Sequence, residues 1–284
     1  MKYSPSKKSK KKSSRKKKSI NKFRFSMYSD QDQDQQSVVR SLTFDTKVGE
    51  LPKDLQTKTL EYLPYHLSKT HTINLKLSRD ITQEAFVELV RQMPYLQKLD
   101  CFSCKNITEI PFINTLRYLD ISLCYNIRRF HLVNKLQTLK CRSLGMIRLD
   151  LPVSIINLDC SWCINLTELP YLPFLSFLNC SGCISVSNIN SYPELRSLMC
   201  SGCSFNKIPL QPKLQDLFCS GCPNLTTIET QPNVSSICCN RCPNLTTIET
   251  QPNLDFINSN NCPLLNFDFN ENRARYSIFY SGRR

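Results

Sequence analysis

Six Cys-x-x-Cys pairs punctuate the chain: Cys101 with Cys104, Cys160 with Cys163, Cys180 with Cys183, Cys200 with Cys203, Cys219 with Cys222, and Cys239 with Cys242. Two such pairs suffice to hold a zinc ion, whose four ligands converge tetrahedrally, and one pair can act as a redox dithiol. Other chemistry has little to draw on. The three histidines, His66, His71 and His131, show no ligand spacing and no visible partner. Neither a GxxxxGK phosphate loop nor a GxGxxG crossover occurs. No nucleophile, base and oxyanion arrangement emerges either, so the expectation is a protein that is not an enzyme and needs no cofactor or metal.

What positions the cysteines is a repeat. Cys101, Ile121, Cys141, Cys160, Cys180, Cys200, Cys219, Cys239 and Ser259 form one column at steps of 19 or 20 residues, and Cys104, Cys124, Leu144, Cys163, Cys183, Cys203, Cys222, Cys242 and Cys262 form a second. Upstream, pairs such as Leu96 and Leu99, Leu175 and Leu178, or Leu214 and Leu217 keep the same step. Downstream, Ile107 and Ile110, Leu166 and Leu169, or Leu225 and Ile228 do likewise; the third unit offers Ile147, and the sixth offers Phe205 and Ile208. The unit reads LxxLxCxxCxxLxxI with a polar or proline-containing return. Its LxC part alternates like a short strand, and the next inward residue three positions on requires a turn. A unit this short cannot enclose its own apolar side, so nine of them must stack into a solenoid with a continuous core.

The pattern resembles the leucine-rich repeat over about 190 of the 284 residues, with cysteine in place of the third leucine and of the asparagine. Phrases such as LTELPYLPFL, residues 166 to 175, are similar to the short repeats of bacterial effector proteins, whose outer side is extended. Pro173, Pro193, Pro212, Pro232 and Pro252 agree with an extended return. Residues 70 to 101 differ: Leu75 and Leu77 alternate inward, and Asp80 can cap a helix whose inner stripe holds Ala85, Phe86, Leu89 and Val90. This unit resembles the helix-containing repeats that follow F-boxes. The implied fold is an α/β leucine-rich-repeat solenoid with a parallel-strand concave face, a mostly extended convex side and one helix-containing N-terminal repeat.

In such a coil, corresponding thiols lie about 4.8 Å apart along two inward files, where cysteine acts as a small hydrophobe. Recurrence in these slots favours structural thiols over a metal or redox role. Cys238, at an outward position beside Cys239, is the thiol expected to react most readily. The outward positions vary from unit to unit while the core columns barely change. Tyr118, Trp162, Phe177, Phe218 and Phe256 offer large apolar contacts there, and Arg117 and Arg196 directional hydrogen bonds, a composition suited to an unknown protein ligand. Lysines and arginines interspersed with Asp argue against a phosphate-tracking groove on this face.

Residues 1–24 hold twelve of the 37 Lys and Arg and no acid, which leaves the remainder of the chain nearly neutral. We read 1–47 as a disordered basic and polar tail. Its charge suits importin, nucleic acid or an anionic surface, or simply solubility. Residues 48–69 form an F-box-like helix or an N-terminal cap. Leu51, Pro52, Leu55 and Leu63 match the pattern of the first F-box helix, a resemblance that implies a Skp-type adaptor of a cullin ubiquitin ligase as partner; the later tryptophan-containing part of an F-box is missing. With the cysteine-rich units, the arrangement is similar to the F-box and leucine-rich-repeat proteins of giant DNA viruses of amoebae. The solenoid spans 70–266, and 267–284 is a C-terminal cap and tail in which Phe267, Phe269 and Phe279 cover the open edge. No apolar run is long enough to cross a bilayer, and no secretory leader core follows the basic start. The expected place is intracellular, cytoplasmic or nuclear, in a host cell if the source is viral. The expected function is an interaction scaffold, with a substrate adaptor as its narrower form and a tail-directed nuclear or nucleic-acid-associated protein as the alternative.

Overall fold

The computed structural model describes residues 73–130 and 134–266, together with the backbone of short strands at Met27–Tyr28, Arg40–Thr43 and Ser277–Ile278. The three histidines, the positions read as an F-box-like helix and the C-terminal phenylalanines lie outside the described residues.

Ten strands of 73–258 lie side by side in chain order, every neighbouring pair parallel. They are β1 (Ile73–Lys76), β2 (Leu96–Asp100), β3 (Tyr118–Asp120), β4 (Thr138–Lys140), β5 (Asn157–Asp159), β6 (Phe177–Asn179), β7 (Ser197–Met199), β8 (Asp216–Phe218), β9 (Ser236–Cys238) and β10 (Phe256–Asn258). Parallel pairing in sequence order, each strand reached through a return on the other side, makes this the leucine-rich-repeat solenoid that the spacing predicts. Each strand sends its central Leu or Ile inward: Leu119, Leu178, Leu198 and Leu217 are 0 % exposed. Burial of one such side chain contributes about 1.5–3 kcal/mol, which is why three-residue strands persist in a stack and would not persist alone.

The turn after each strand has a fixed geometry. Ser103, Leu123, Ser143, Trp162, Gly182, Gly202, Gly221, Arg241 and Asn261, the third residues of the Cys-x-x-Cys slots, all have φ between 56° and 75°. This left-handed step redirects the chain from strand to return, and its N–H donates to the next coil, as from Trp162 to the Ser181 carbonyl at 2.8 Å. The following thiol then reaches back. Cys163, Cys183, Cys203, Cys222 and Cys242 each donate Sγ–H to the carbonyl of the first-column cysteine one coil earlier, at 3.1–3.2 Å. These sulfurs occupy the slot assigned to asparagine in the family pattern and satisfy one buried carbonyl per coil.

The helix α1 (Gln83–Arg91) buries Phe86, Leu89 and Val90 as its apolar spacing predicts. Its cap is Thr82 and not Asp80: the Thr82 hydroxyl accepts from the Ala85 N–H at 3.3 Å. Ile81 is buried at 2 % exposure, which anchors the chain between Asp80 and the helix and moves the start two residues on. The third unit also needs correction. Ile147 is 62 % exposed, whereas Leu149 is buried and Met146 packs against the core. This unit is one of the two that step by 19 residues. The residue it lacks lies just after the second column, so Met146 and Leu149 take the places that Phe205 and Ile208 take in the other short unit, both fully buried.

On the return side the chain is extended, with parallel pairs at Glu109–Ile110 with Arg129–Phe130, and at Lys207–Ile208, Thr227–Ile228 and Thr247–Ile248. Three residues on from Ile208, Ile228 and Ile248 runs a file of buried amides. Gln211, Gln231 and Gln251 are 0–4 % exposed. Each offers Oε1 to the N–H of the same position one coil earlier: Gln251 to Gln231, Gln231 to Gln211, and Gln211 to Tyr192, all at 2.8 Å. The Nε2 groups donate to main-chain carbonyls, so the file leaves neither end of each amide unpaired.

Candidate binding face

On the open side of the sheet, two files of side chains flank the buried one. The first runs Lys98, Tyr118, Thr138, Asn157, Phe177, Ser197, Asp216, Ser236, Phe256, and the second Asp100, Asp120, Lys140, Asp159, Asn179, Met199, Phe218, Cys238, Asn258. The period-two alternation of a strand fixes this arrangement, since the residues on either side of an inward Leu must point out. Arg117 and Arg196 stand one position before the first file and are exposed. All the outward residues singled out by sequence lie on or beside this face, but they do not form one cluster. At about 4.8 Å per strand, Tyr118 and Phe177 are separated by three steps, about 14 Å, and Phe177 and Phe256 by four, about 19 Å.

Around Tyr118 the face is ionic. The Lys98 ammonium stands 4.8 Å from the ring centroid and the Lys140 ammonium 5.6 Å from it. Burial pushes the phenol upward in pKa, with the neighbouring Lys140 pulling the other way. Asp100, Asp120 and Asp159 each accept an N–H of the turn that follows, from Phe102, Ser122 and Ser161 at 2.9, 3.0 and 3.2 Å. Two of these carboxylates are also paired with cations, Asp100 with Lys76 at 3.3 Å and Asp159 with Arg142 at 2.7 Å. Tyr118 is therefore the centre of a cation–aromatic group, not the plain apolar contact that its residue type suggested.

Farther along, the face turns apolar. Phe177, Met199, Phe218 and Cys238 occupy consecutive strands β6 to β9 and are half-buried. Met199 is the addition here. Its place in an outward column made it readable, but selecting aromatics and arginines passed over it. Cys238 stands two strands from Met199, with Phe218 between them; it is half-buried, and burial raises its thiol pKa, which reduces its thiolate fraction at neutral pH.

Trp162 lies at the rim, in the left-handed turn after β5, and is 63 % exposed. Its ring rests on the next coil: a Cβ placed on Gly182 would come within 2.8 Å of the indole. Glycine at 182 leaves room for this contact, while its φ of 75° is the same left-handed step that Trp162 and Arg241 take as non-glycine residues. The indole is thus held flat with much of its surface in solvent.

Apart from Cys238, the thiols lie in the inward columns, away from this face. All sixteen cysteines are free, and among the described residues no group of three or more His, Cys, Asp or Glu side chains is placed to hold a metal ion. Burial raises Cys101 well above the ordinary thiol range, pushes Cys104 up to about 12 and pushes Cys124 up to about 11. These three thiols stay protonated at neutral pH, and Cys124 donates its Sγ–H to the Cys101 carbonyl at 2.9 Å. The buried glutamines have a signal in the sequence, the Gln-Pro that recurs at 211, 231 and 251.

Compared with known proteins, the chain matches no protein-family model and no curated protein. Solved structures with a similar course include a leucine-rich repeat protein from Bacteroides ovatus, at 14 % identity over 69 % of this chain and 66 % of that one, TM-score 0.40. YopM from Yersinia enterocolitica is 22 % identical over 66 % of this chain and 49 % of its own, TM-score 0.41. A leucine-rich cell surface protein from Faecalibacterium prausnitzii is 14 % identical over 78 % and 75 %, TM-score 0.30. The chain thus spans about two thirds of the first of these proteins and about half of the second. Among the described residues no helix is long and apolar enough to cross a membrane.

Proposed function

We propose that the protein is a non-enzymatic scaffold that holds a protein ligand on the open face of its parallel sheet. The observation that carries this reading is Trp162, an indole left in solvent yet fixed against Gly182. An aromatic side chain that is already ordered loses little entropy on binding, which is how anchors of protein interfaces work. Arg117, Tyr118, Phe177, Arg196, Phe218 and Phe256 supply the rest of the surface, against a core that repeats almost unchanged. The test is capture of partners from the native cell by the full chain and by a Tyr118→Ser, Trp162→Ser, Phe177→Ser variant. Loss of most partners is expected; an unchanged set would overturn the reading.

The narrower form, a substrate adaptor of a cullin-type ubiquitin ligase, rests on the sequence of residues 48–64, with Leu51, Pro52, Leu55 and Leu63 as the contacts to a Skp-type adaptor. Failure of the purified chain to bind that adaptor from its host would remove the narrower form and leave the scaffold. The basic residues of 1–24 support the alternative of a nuclear or nucleic-acid-associated protein reached through importin or nucleic acid. Unchanged distribution and unchanged salt-dependent nucleic-acid binding after their deletion would exclude it.

A further inference from the structure

We infer that Lys98, Tyr118 and Lys140 form a carboxylate-receiving subsite for an acidic segment of the protein ligand. This inference rests on the proposed use of the open face for protein binding and names what one part of that face recognises.

The argument is one of unspent charge. Lys76 and Arg142 border the group, but each is committed to a carboxylate, Asp100 and Asp159. Lys98 and Lys140 have no carboxylate within 4.0 Å among the described residues; what each faces is the Tyr118 ring, at 4.8 and 5.6 Å. The ring holds two ammonium groups on strands β2 and β4, one on either side of it, and leaves their remaining donors open to a ligand. At 4.8 and 5.6 Å from one ring centroid, the two ammonium groups are at most about 10 Å apart, a span that acidic side chains two or three residues apart on an extended segment can bridge. Exposed Arg117 adds a third cation at the same strand. A nucleic-acid backbone suits the place less well. Asp120 sits between the lysines and Asp100 beside them, so a continuous run of phosphates would be repelled where discrete carboxylates would not.

The subsite can be read without knowing the partner. The full chain, labelled with 15N at lysine and tyrosine, is titrated with a hexaglutamate peptide, and the amide signals are followed by NMR. Lys98, Tyr118 and Lys140 should shift together with one saturable dissociation constant, while the exposed Lys105 and Lys135 stay in place; shifts of the tail lysines are resolved separately. Tyr118→Leu should weaken that constant at least fivefold, and Tyr118→Phe, which keeps the ring, should retain it within twofold. Equal shifts at Lys105 and Lys135, or tighter saturation of the subsite signals by a thymidine hexanucleotide, would overturn the assignment. Neither result depends on Trp162, so the subsite can fail while the scaffold reading stands, and the partner-capture experiment can fail while the subsite stands.

Discussion

The first four coils and the last six use one backbone plan to make two different surfaces. Residues 73–150 carry twelve Lys and Arg against seven Asp and Glu, whereas 151–266 carry four against seven. The open face follows the same division: ion pairs and the Lys98–Tyr118–Lys140 group on β1 to β5, then Phe177, Met199, Phe218 and Cys238 on β6 to β9. Inside, the division returns in another form. The first part holds four cysteines and the second twelve, and the buried glutamine file belongs to the second alone. Because each coil touches chiefly its neighbours, interior and surface can change along the axis without altering the coil. The lesson is that the fold is set by columns, and recognition by what lies between them.

The largest test of this contrast is alkaline. Cys163, Cys222 and Cys262, each hydrogen-bonded to a neighbouring thiol, shift down, but the other eleven shifted thiols titrate above the ordinary value of 9.0, Cys104 near 12 and Cys124 near 11. Above about pH 9 the unfolded chain releases protons that the folded chain keeps. The stability these thiols contribute is therefore complete below about pH 9 and is lost as pH rises towards 12. Seven of these eleven thiols belong to the second part and four to the first, so the second part should open first. Under reducing conditions, Trp162 fluorescence should change at lower pH than the circular dichroism of α1. Coincident transitions would mean that thiol number does not set the order.

Next in size is a pair that should not differ. Leu119 and Leu198 are both fully buried, one in each part. Leu119→Ala and Leu198→Ala should each cost about 2–5 kcal/mol in urea unfolding, with similar values if one continuous core serves both parts. A much smaller loss in either would break the core into two.

Much of this was legible in the sequence because a repeat reports each structural decision nine times. One strand of three residues would be hard to recognise, but Leu, Cys and Cys in fixed columns identify the strand, the turn and the inward sides together. Where the period slipped, the reading slipped: the missing residue of the third unit exchanged Ile147 for Leu149. Asp80 was a reasonable cap by residue type, yet the burial of Ile81 moved the helix start to Thr82. The candidate face was legible as positions and less so as chemistry. Sequence gives the column of Lys98 and Tyr118 and the neighbouring column of Lys140, but the pairing that leaves those two lysines without a carboxylate depends on side-chain directions that spacing does not contain.

The glutamine file offers a smaller, one-sided test. Gln231→Leu would leave the Gln211 N–H without its acceptor and the Pro209 carbonyl without its Nε2 donor inside the protein, at about 1–3 kcal/mol for each buried unpaired group. The same column holds Leu172 farther upstream, also buried, so leucine fits the space and the loss measures the hydrogen bonds. A variant as stable as the parent would show that main-chain adjustment replaces the amide.

The smallest effect belongs to the junction between the two parts. Arg142 in the turn after β4 pairs with Asp159 on β5 at 2.7 Å, the arginine side chain 45 % exposed and the aspartate 8 %. Asp159 retains the Ser161 N–H and hydroxyl, at 3.2 and 2.8 Å, so Arg142→Ala does not strand a bare carboxylate. The expected loss is about 1 kcal/mol or less, as for a pair open to water on one side, and it should shrink as salt screens what remains. Urea unfolding at low and at high salt measures both. A larger, salt-independent loss would mean that the pair clamps the basic part of the solenoid to the thiol-rich part, making the boundary a mechanical joint where charge and composition merely change.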